Sequence, residues 1–323
     1  MTTTAATAPA TPVTGERGTT VSRGTALIVL ASVCFGTSGP LVKPVMDAGL
    51  SPQQAVSFRI ALAAVLLLAF VAVTRPSLLK VRRADLPVLA GYGFIGVAVV
   101  QLLYFAAVSR IPIGVAMLLE FTSPVLVALW VRFVRRVVLP ARMWVGTALA
   151  VLGLAMVAEV WQGLRLDALG LLLGIGAALC AAAYFLLGER AGRTIAPLGL
   201  VTWGMVIGAA VIAFMAPPWS LPGEVMTADA TFGAWDVPVW VLLVTCTVVS
   251  TALAYLLSIS SLRLLPANVV SVLAVIEPIV ATVLAWLMLG QALTVAQVIG
   301  AVVLLSGATV VQLASRRPGI TPG

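Results

Sequence analysis

The chain has 323 residues, of which 61% are hydrophobic and only 9% are charged, and its mean hydropathy is +1.14. A soluble domain is typically about 45–50% apolar and about 25% charged, so this composition excludes a soluble enzyme and a disordered protein and indicates a membrane protein. The formal net charge of +8 is explained by membrane orientation rather than by nucleic-acid binding, because of where the basic residues lie.

Residues 1–23 are rich in Thr, Ala and Pro and are predicted to form a disordered cytoplasmic tail. Ten continuous apolar runs follow, each close to the about 20 residues that a helix needs to cross a bilayer. The runs cover residues 24–45, 52–73, 86–108, 112–133, 144–160, 168–187, 198–215, 237–258, 266–289 and 293–314. Because they do not alternate, they predict helices rather than barrel strands, and therefore an all-α membrane protein. Residues 217–236 are predicted to be the longest loop, with Trp219 and Trp235 at headgroup level.

The basic residues indicate the orientation of these spans. One predicted side carries Arg17, Arg23, Arg75, Lys80, Arg82, Arg83, Arg132, Arg135, Arg136, Arg142, Arg190, Arg193, Arg263, Arg316 and Arg317, and the other carries only Arg110 and Arg165. Cytoplasmic loops are enriched in Lys and Arg, so both termini are predicted to be cytoplasmic. The same distribution makes a nucleic-acid partner improbable.

An internal repeat divides the chain into two halves. Shifting the sequence by 154 residues aligns residues 112–158 with 266–312 without a gap. The identical pairs are Pro112/Pro266, Val115/Val269, Leu119/Leu273, Pro124/Pro278, Leu139/Leu293, Gly146/Gly300 and Gly153/Gly307. Since each half has five spans, an odd number, the second half must be inverted relative to the first. We therefore predict a first repeat over 24–160, a second repeat over 161–315 and a short cytoplasmic tail over 316–323. Inverted repeats are typical of secondary transporters, although duplication kept only for packing is the alternative.

Four ionisable residues lie within the predicted spans: Lys43, Arg59, Glu120 and Glu277. Each costs about 2.5–3.5 kcal/mol at the centre of a membrane helix and so calls for a role. Arg59 and Glu120 lie at similar predicted depth, where they either form a structural ion pair or bind the carboxylate and the amine of a substrate. Lys43 is close enough to a helix end to extend into the interface. Glu277 has no basic residue at its predicted depth, and a carboxylate far from water favours its protonated form, so Glu277, like Glu120, is a candidate for proton coupling.

Pro124 and Pro278 occupy equivalent positions in the two halves. A proline inside a helix frees a backbone carbonyl and kinks the helix, and such groups are tolerated only inside protein or beside a water-filled cavity. The pair therefore predicts a cavity at the bilayer midplane. The candidate polar residues that line it are Gln101, Tyr104, Ser123, Tyr255 and Asn268; the alternative for these residues is hydrogen bonding between helices.

Several enzyme classes are excluded by the residue inventory. The sequence contains no histidine, which excludes imidazole metal sites and Ser/His/Asp triads. Cys34, Cys180 and Cys246 lie far apart in apolar runs without metal-ligand spacing. No GxxxxGK[ST] motif is present, which disfavours an ATP-driven pump. We predict neither a metal nor a cofactor.

The order of these motifs resembles the EamA domain of the drug/metabolite transporter superfamily. The resemblance is carried by two Pro-x11-Pro spacings, each followed by a glycine, by Phe35-Gly36 with Lys43 and Arg59, and by 261–268 leading to Ile276-Glu-Pro278 and Gly290. Residues 116–124 are similar to the threonine/homoserine exporter branch, whereas Gln291 stands where many members have an acidic residue.

The resemblance implies a bacterial inner-membrane transporter, driven by a proton or other ion gradient, that exports small amino acids or related metabolites. The alternative from another class is an intramembrane enzyme acting on a lipid or isoprenoid substrate. Saturable counterflow would distinguish a transporter from a channel. The sequence leaves open whether the protein forms a homodimer.

Overall fold

The computed structural model describes residues 14–111, 113–161, 167–220, 223–233, 235–289 and 294–315. The first half forms α1 (Thr14–Gly36), α2 (Ser38–Asp47), α3 (Pro52–Thr74), α4 (Leu86–Gly91), α5 (Val100–Val108), α6 (Ile113–Glu120), α7 (Ser123–Phe133) and α8 (Ala141–Val157). The second half forms α9 (Ala168–Ala191), α10 (Pro197–Ala213), α11 (Gly223–Thr227), β1 (Asp229–Phe232), β2 (Trp235–Pro238), α12 (Val239–Thr245), α13 (Ala254–Leu262), α14 (Ala267–Ala274), α15 (Glu277–Leu289) and α16 (Val295–Ser315). Two π-helical segments, Tyr92–Val99 and Cys246–Leu253, join α4 to α5 and α12 to α13.

The described helices are apolar and long enough to identify a multi-pass membrane protein. Eight of the ten predicted runs coincide with helices of sufficient length and hydropathy to cross a bilayer. The other two form shorter helices, α8 and α10, of 17 residues each. At about 1.5 Å per residue these two helices are about 26 Å long, less than the about 30 Å of hydrocarbon. Proline limits both at their start, since Pro140 precedes α8 and Pro197 opens α10.

The second half of the chain repeats the element boundaries of the first. The 154-residue shift carries the π segment Tyr92–Val99 onto Cys246–Leu253. It also carries α5 onto α13, α6 onto α14, and the starts of α7 and α8 onto those of α15 and α16. The sequence alignment began only at residue 112, so the backbone repeats over a longer stretch than the residue identities do. The π segments interrupt regular helix geometry, which often occurs at functional sites.

The repeated glycines have a specific packing role between α8 and α16. A Cβ atom built on Gly153 would lie 2.6 Å from the carbonyl oxygen of Gly300, and one on Gly146 would lie 2.8 Å from that of Gly307. The reciprocal distances, from Gly300 to Gly153 and from Gly307 to Gly146, are 2.8 and 2.6 Å. The two helices therefore cross with their backbones in contact, as small residues allow in membranes.

Loop contacts define two ends of the helix bundle. At the Arg-rich end, Arg135 pairs with Glu189 at 2.7 Å and Thr194 donates a hydrogen bond to Asp85 at 2.9 Å. At the opposite end, Arg110 lies 3.8 Å from Asp167. All three contacts join the first half of the chain to the second, so the loops of both halves meet at each end.

One expectation about the connecting segments was wrong. Helix α1 begins at Thr14 rather than after residue 23, so part of the predicted tail is helical. The described residues of the predicted loop over 217–236 include α11, β1 and the start of β2, and the two strands pair antiparallel with Ala230 opposite Val237. Ala230 is buried in an apolar cluster with Leu41 and Val45 of α2, and this burial favours the hairpin. Trp219 and Trp235 are exposed.

Some sequence predictions fall outside the described residues. These are the tail over 1–13, the tail over 316–323 with Arg316 and Arg317, and the residues Pro112, Arg165, Gly290, Gln291 and Leu293.

Candidate functional site

The two repeated prolines mark complete breaks in helices rather than simple kinks. Helix α6 ends at Glu120 and α7 begins at Ser123, while α14 ends at Ala274 and α15 begins at Glu277. Pro124 and Pro278 are each the second residue of the new helix, where a missing N–H costs least because it has no intrahelical partner. At both breaks the chain tightens into turns, with Thr122 N donating to Leu119 O at 3.1 Å and Ile276 N donating to Leu273 O at 3.2 Å.

The two carboxylates lie on opposite sides of these equivalent breaks. Glu120 is the last residue of α6, whereas Glu277 is the first residue of α15. Under the 154-residue shift Glu277 corresponds to Ser123, which is buried, and Glu120 corresponds to Ala274. The backbone therefore repeats between the halves, but the acidic groups do not.

Glu120 and Glu277 nevertheless lie close enough in the folded chain to interact electrostatically. Glu277 lies within electrostatic range of both Glu120 and Arg59. Tyr104 is within range of both carboxylates, and Tyr255 is within range of the two carboxylates and of Arg59. We call these five residues, Arg59, Glu120, Glu277, Tyr104 and Tyr255, the charged cluster. Both carboxylates keep a partial exposure, so the cluster is not sealed in a fully packed core.

Arg59 has different partners from those the sequence suggested. Its Nη1 donates to Ser38 Oγ at 2.6 Å and lies 3.9 Å from Cys246 Sγ, and among the described residues it forms no ion pair with Glu120. The guanidinium points toward α2, which carries Ser38, and toward the second π segment, which carries Cys246. Its Nε is buried and has no hydrogen-bond partner among the described residues. Arg59, which is itself buried, therefore keeps an unused donor.

Sequence analysis missed the polar groups around Arg59. Thr37 Oγ1 and Ser250 Oγ are 2.6 Å apart, and they link the start of α2 to the same π segment that carries Cys246. The signal that pointed to them is the run of residues 245–251, in which Thr and Ser interrupt a predicted membrane span. Such hydroxyl groups satisfy backbone carbonyls where regular helix bonding is lost; Thr247 Oγ1 donates to Leu243 O at 2.8 Å.

A column of aromatic rings extends from the charged cluster. The ring of Phe35 lies 5.2 Å from Tyr255, and Tyr184 lies 5.6 Å from both Tyr255 and Tyr92. The Tyr184 hydroxyl donates to Ser258 Oγ at 2.9 Å. These residues, Phe35, Tyr255, Tyr184 and Tyr92, form the aromatic column. Tyr92 lies one residue after α4, the segment nearest the Arg-rich loop 75–85, so the column fills the bundle on that side of the cluster.

The remaining predicted residues separate into two groups. Gln101 joins the site, since its side chain is in polar contact with Tyr255. Asn268 does not: it is the second residue of α14 and lies at the opposite end of that helix from the break that precedes Glu277. It is buried, and its Nδ2 has no partner among the described residues. Lys43 is exposed and pairs with Asp47 at 2.8 Å, which agrees with a position at the end of the span.

Comparison with known proteins confirms the family resemblance. The profile of the EamA-like transporter family matches residues 22–158 and again 168–313. The threonine/homoserine exporter RhtA of Salmonella typhimurium strain SL1344 is 32% identical over 292 residues, which cover 90% of this chain and 91% of that protein. The protein of the same name from Escherichia coli K12 is 32% identical over 285 residues, covering 87% and 88%. A crystal structure of another protein, 18% identical, aligns with a TM-score of 0.71 over 93% of this chain and 99% of that one, and it shows likeness of fold alone.

Proposed function

Because the chain belongs to the EamA-like transporter family, we propose that it is a secondary transporter that exports small amino acids or related metabolites. It spans the bacterial inner membrane ten times, as two five-helix halves of inverted topology, and both termini are cytoplasmic. The substrate binds at the charged cluster, which opens alternately to the two sides of the membrane. A proton or other ion gradient drives the cycle.

Three observations support the ten-span arrangement. The family profile matches each half of the chain separately, and the element boundaries repeat after 154 residues. The basic loops gather at one end of the bundle, as expected for a cytoplasmic face. The shorter helices α8 and α10 span the membrane by local thinning or by the snorkelling of flanking residues, which costs fractions of a kcal/mol per Å of mismatch.

The observation that carries the proposed function is that the Arg59 guanidinium and two carboxylates, which border two broken helices of different halves, lie within electrostatic range of one another. An amino-acid zwitterion presents a carboxylate and an ammonium group. The unused donor of Arg59 complements the carboxylate, and Glu120 with Glu277 complements the ammonium group. Broken helices at a repeat interface are typical of substrate sites in secondary transporters. The names of the RhtA relatives, which are 32% identical to this chain, agree with an amino-acid substrate.

The two carboxylates also supply a candidate for ion coupling. A zwitterion leaves the net charge of Arg59, Glu120 and Glu277 unchanged at −1, so a single proton makes the occupied site neutral. We assign this proton to Glu277 or Glu120. The substitution Glu277→Gln, which keeps the shape and removes the titration, is expected to make flux independent of an imposed pH gradient. An unchanged response to the gradient would contradict proton coupling through Glu277.

The test of the proposed function is counterflow in proteoliposomes loaded with threonine, homoserine, alanine or serine. Wild-type protein is expected to show saturable counterflow, whereas Glu120→Gln is expected to lose it without loss of folded protein. The matched control is Asp47→Asn, which removes a carboxylate at an exposed position outside the cluster, and it is expected to retain transport. Full activity of Glu120→Gln, or no counterflow of any of these amino acids by wild type, would contradict the proposal.

A further inference from the structure

A side cleft opens between the start of α3, the end of α5 and the end of α10. Its volume is about 190 Å³, and its lining residues include Gln53, Val56, Gln101, Leu102, Phe105 and Ile212. Val56 and Ile212 are buried. A hydrogen bond from Ser57 Oγ to the carbonyl of Ala216 ties α3 to the segment after α10, which holds two walls of the cleft together.

One residue, Gln101, links the side cleft to the charged cluster. Gln101 lines the cleft, and its side chain is also in polar contact with Tyr255 of the cluster. Leu102 and Phe105 follow Gln101 on α5 and add apolar surface to the same cleft. The apolar space of the cleft therefore begins at a side chain that also interacts with the cluster.

The size and lining of the cleft define the group that fits. An apolar protein cavity of about 150 Å³ holds a benzene molecule, so about 190 Å³ is enough for a leucine, methionine or phenylalanine side chain. The hydroxyethyl group of threonine would fill only a small part of it. Seven of the nine lining residues are apolar, so a large apolar side chain gains more from the cleft than a small polar one.

We propose that the side cleft is the side-chain subsite of the charged cluster, and that it admits zwitterionic amino acids with large apolar side chains. This inference rests on the proposed function, since the cluster must hold the amino and carboxyl groups. The substrate class therefore extends beyond small amino acids to leucine, methionine and phenylalanine. The competing occupant is an acyl chain of a membrane lipid. If it fills the cleft, substitutions in the cleft change the counterflow of large and small amino acids equally.

The test compares leucine with alanine counterflow in proteoliposomes of wild type and of Ala106→Phe, which fills the cleft from α5. A hydrophobic pocket discriminates about 10–200-fold per methylene group, so leucine counterflow is expected to fall at least about tenfold while alanine counterflow changes less than about twofold. The matched control is Ala90→Phe, the same substitution at an exposed alanine of α4 in the same span, which is expected to change neither. A second variant, Leu102→Ala, enlarges the cleft and is expected to raise phenylalanine counterflow relative to alanine.

The outcomes separate this inference from the proposed function. A fall of the leucine-to-alanine ratio in Ala106→Phe, together with a rise of the phenylalanine-to-alanine ratio in Leu102→Ala, supports the subsite. Wild-type counterflow of alanine or threonine without leucine overturns the subsite and leaves the proposed function standing. Equal losses of leucine and alanine counterflow in Ala106→Phe, with an unchanged phenylalanine-to-alanine ratio in Leu102→Ala, also overturn the subsite and favour a lipid in the cleft. Counterflow of no amino acid at all overturns both.

Discussion

The crossing of α8 and α16 predicts that one added methyl group disrupts the bundle. A Cβ atom on Gly153 would lie 2.3 Å from Leu304 N and 2.6 Å from Gly300 O, whereas ordinary van der Waals contact begins at 3.4 Å. Both obstacles are backbone atoms, which no change of rotamer removes, so Gly153→Ala forces the two helices apart by about 1 Å. Overpacking of this kind costs typically 1–3 kcal/mol, and we expect about 3 kcal/mol here because backbone is involved.

The assay is the apparent midpoint of thermal unfolding of the purified protein in detergent. At about 2 °C per kcal/mol, the lower end for larger domains, Gly153→Ala is expected to lower the midpoint by about 6 °C. The matched control is Gly39→Ala in α2, where an added Cβ meets nothing within 4 Å and the gain in helix propensity is about 1 kcal/mol. Its midpoint is expected to stay the same or rise.

A double variant tests the contact itself. Gly300 faces Gly153, so once the first methyl group has separated the helices, a second at Gly300 costs less than it would alone. Gly153→Ala with Gly300→Ala is therefore expected to lower the midpoint by less than the two single changes together. Equal midpoints for Gly153→Ala and Gly39→Ala would refute the backbone contact between α8 and α16.

Three further predictions follow from contacts elsewhere in the bundle. Arg135→Ala removes the 2.7 Å partner of Glu189, whose side chain is 4% exposed. Breaking a buried pair costs about 3–5 kcal/mol, but Arg193 also lies 3.6 Å from this carboxylate, so the expected loss of stability is smaller. A thermal melt is expected to show this loss for Arg135→Ala and not for the control Arg142→Ala, which changes an exposed arginine. Tyr184→Phe removes the bond to Ser258 and keeps the ring, so a loss of about 1–3 kcal/mol is expected from the unpaired hydroxyl, and Ser258→Ala added to it is expected to restore part of the stability. Reporter fusions at the two termini are both expected to report the cytoplasm, and a split result would contradict the ten-span arrangement.

Hydropathy predicted where the helices are, but not how they are broken or which faces meet. The run over 86–108 coincides with α4, the π segment and α5, because a bilayer demands continuous apolar sequence of fixed length. Proline chemistry predicted that the helices are distorted at Pro124 and Pro278, but it predicted kinks and not breaks. The breaks need the tight turns at Thr122 and Ile276, and those turns depend on how the neighbouring helices pack. Hydropathy also reports nothing about the rotation of a helix, so it gave no means of choosing Ser38 over Glu120 as the partner of Arg59.

The glycines illustrate the same limit. The sequence repeat identified Gly146, Gly153, Gly300 and Gly307 as equivalent positions, and the structure packs them against one another. Gly146 packs against Gly307, and Gly153 against Gly300. This pairing depends on an antiparallel crossing of two helices that are far apart in the sequence, and the sequence does not reveal such a crossing. The hairpin of β1 and β2 depends likewise on burial of Ala230 against α2, a contact between segments far apart in the chain.

The offset of Glu120 and Glu277 across equivalent helix breaks has an energetic consequence. If the halves carried the same charges at the same places, exchanging their conformations would produce two states of equal free energy, and the empty protein would divide its time equally between the two compartments. Under the proposed alternating access, the acidic groups remove this degeneracy, because the exchange places each of them in the surroundings of a different half. The proposed mechanism therefore predicts that the empty protein favours one side of the membrane, while the gradients across the bilayer set the direction of net flux.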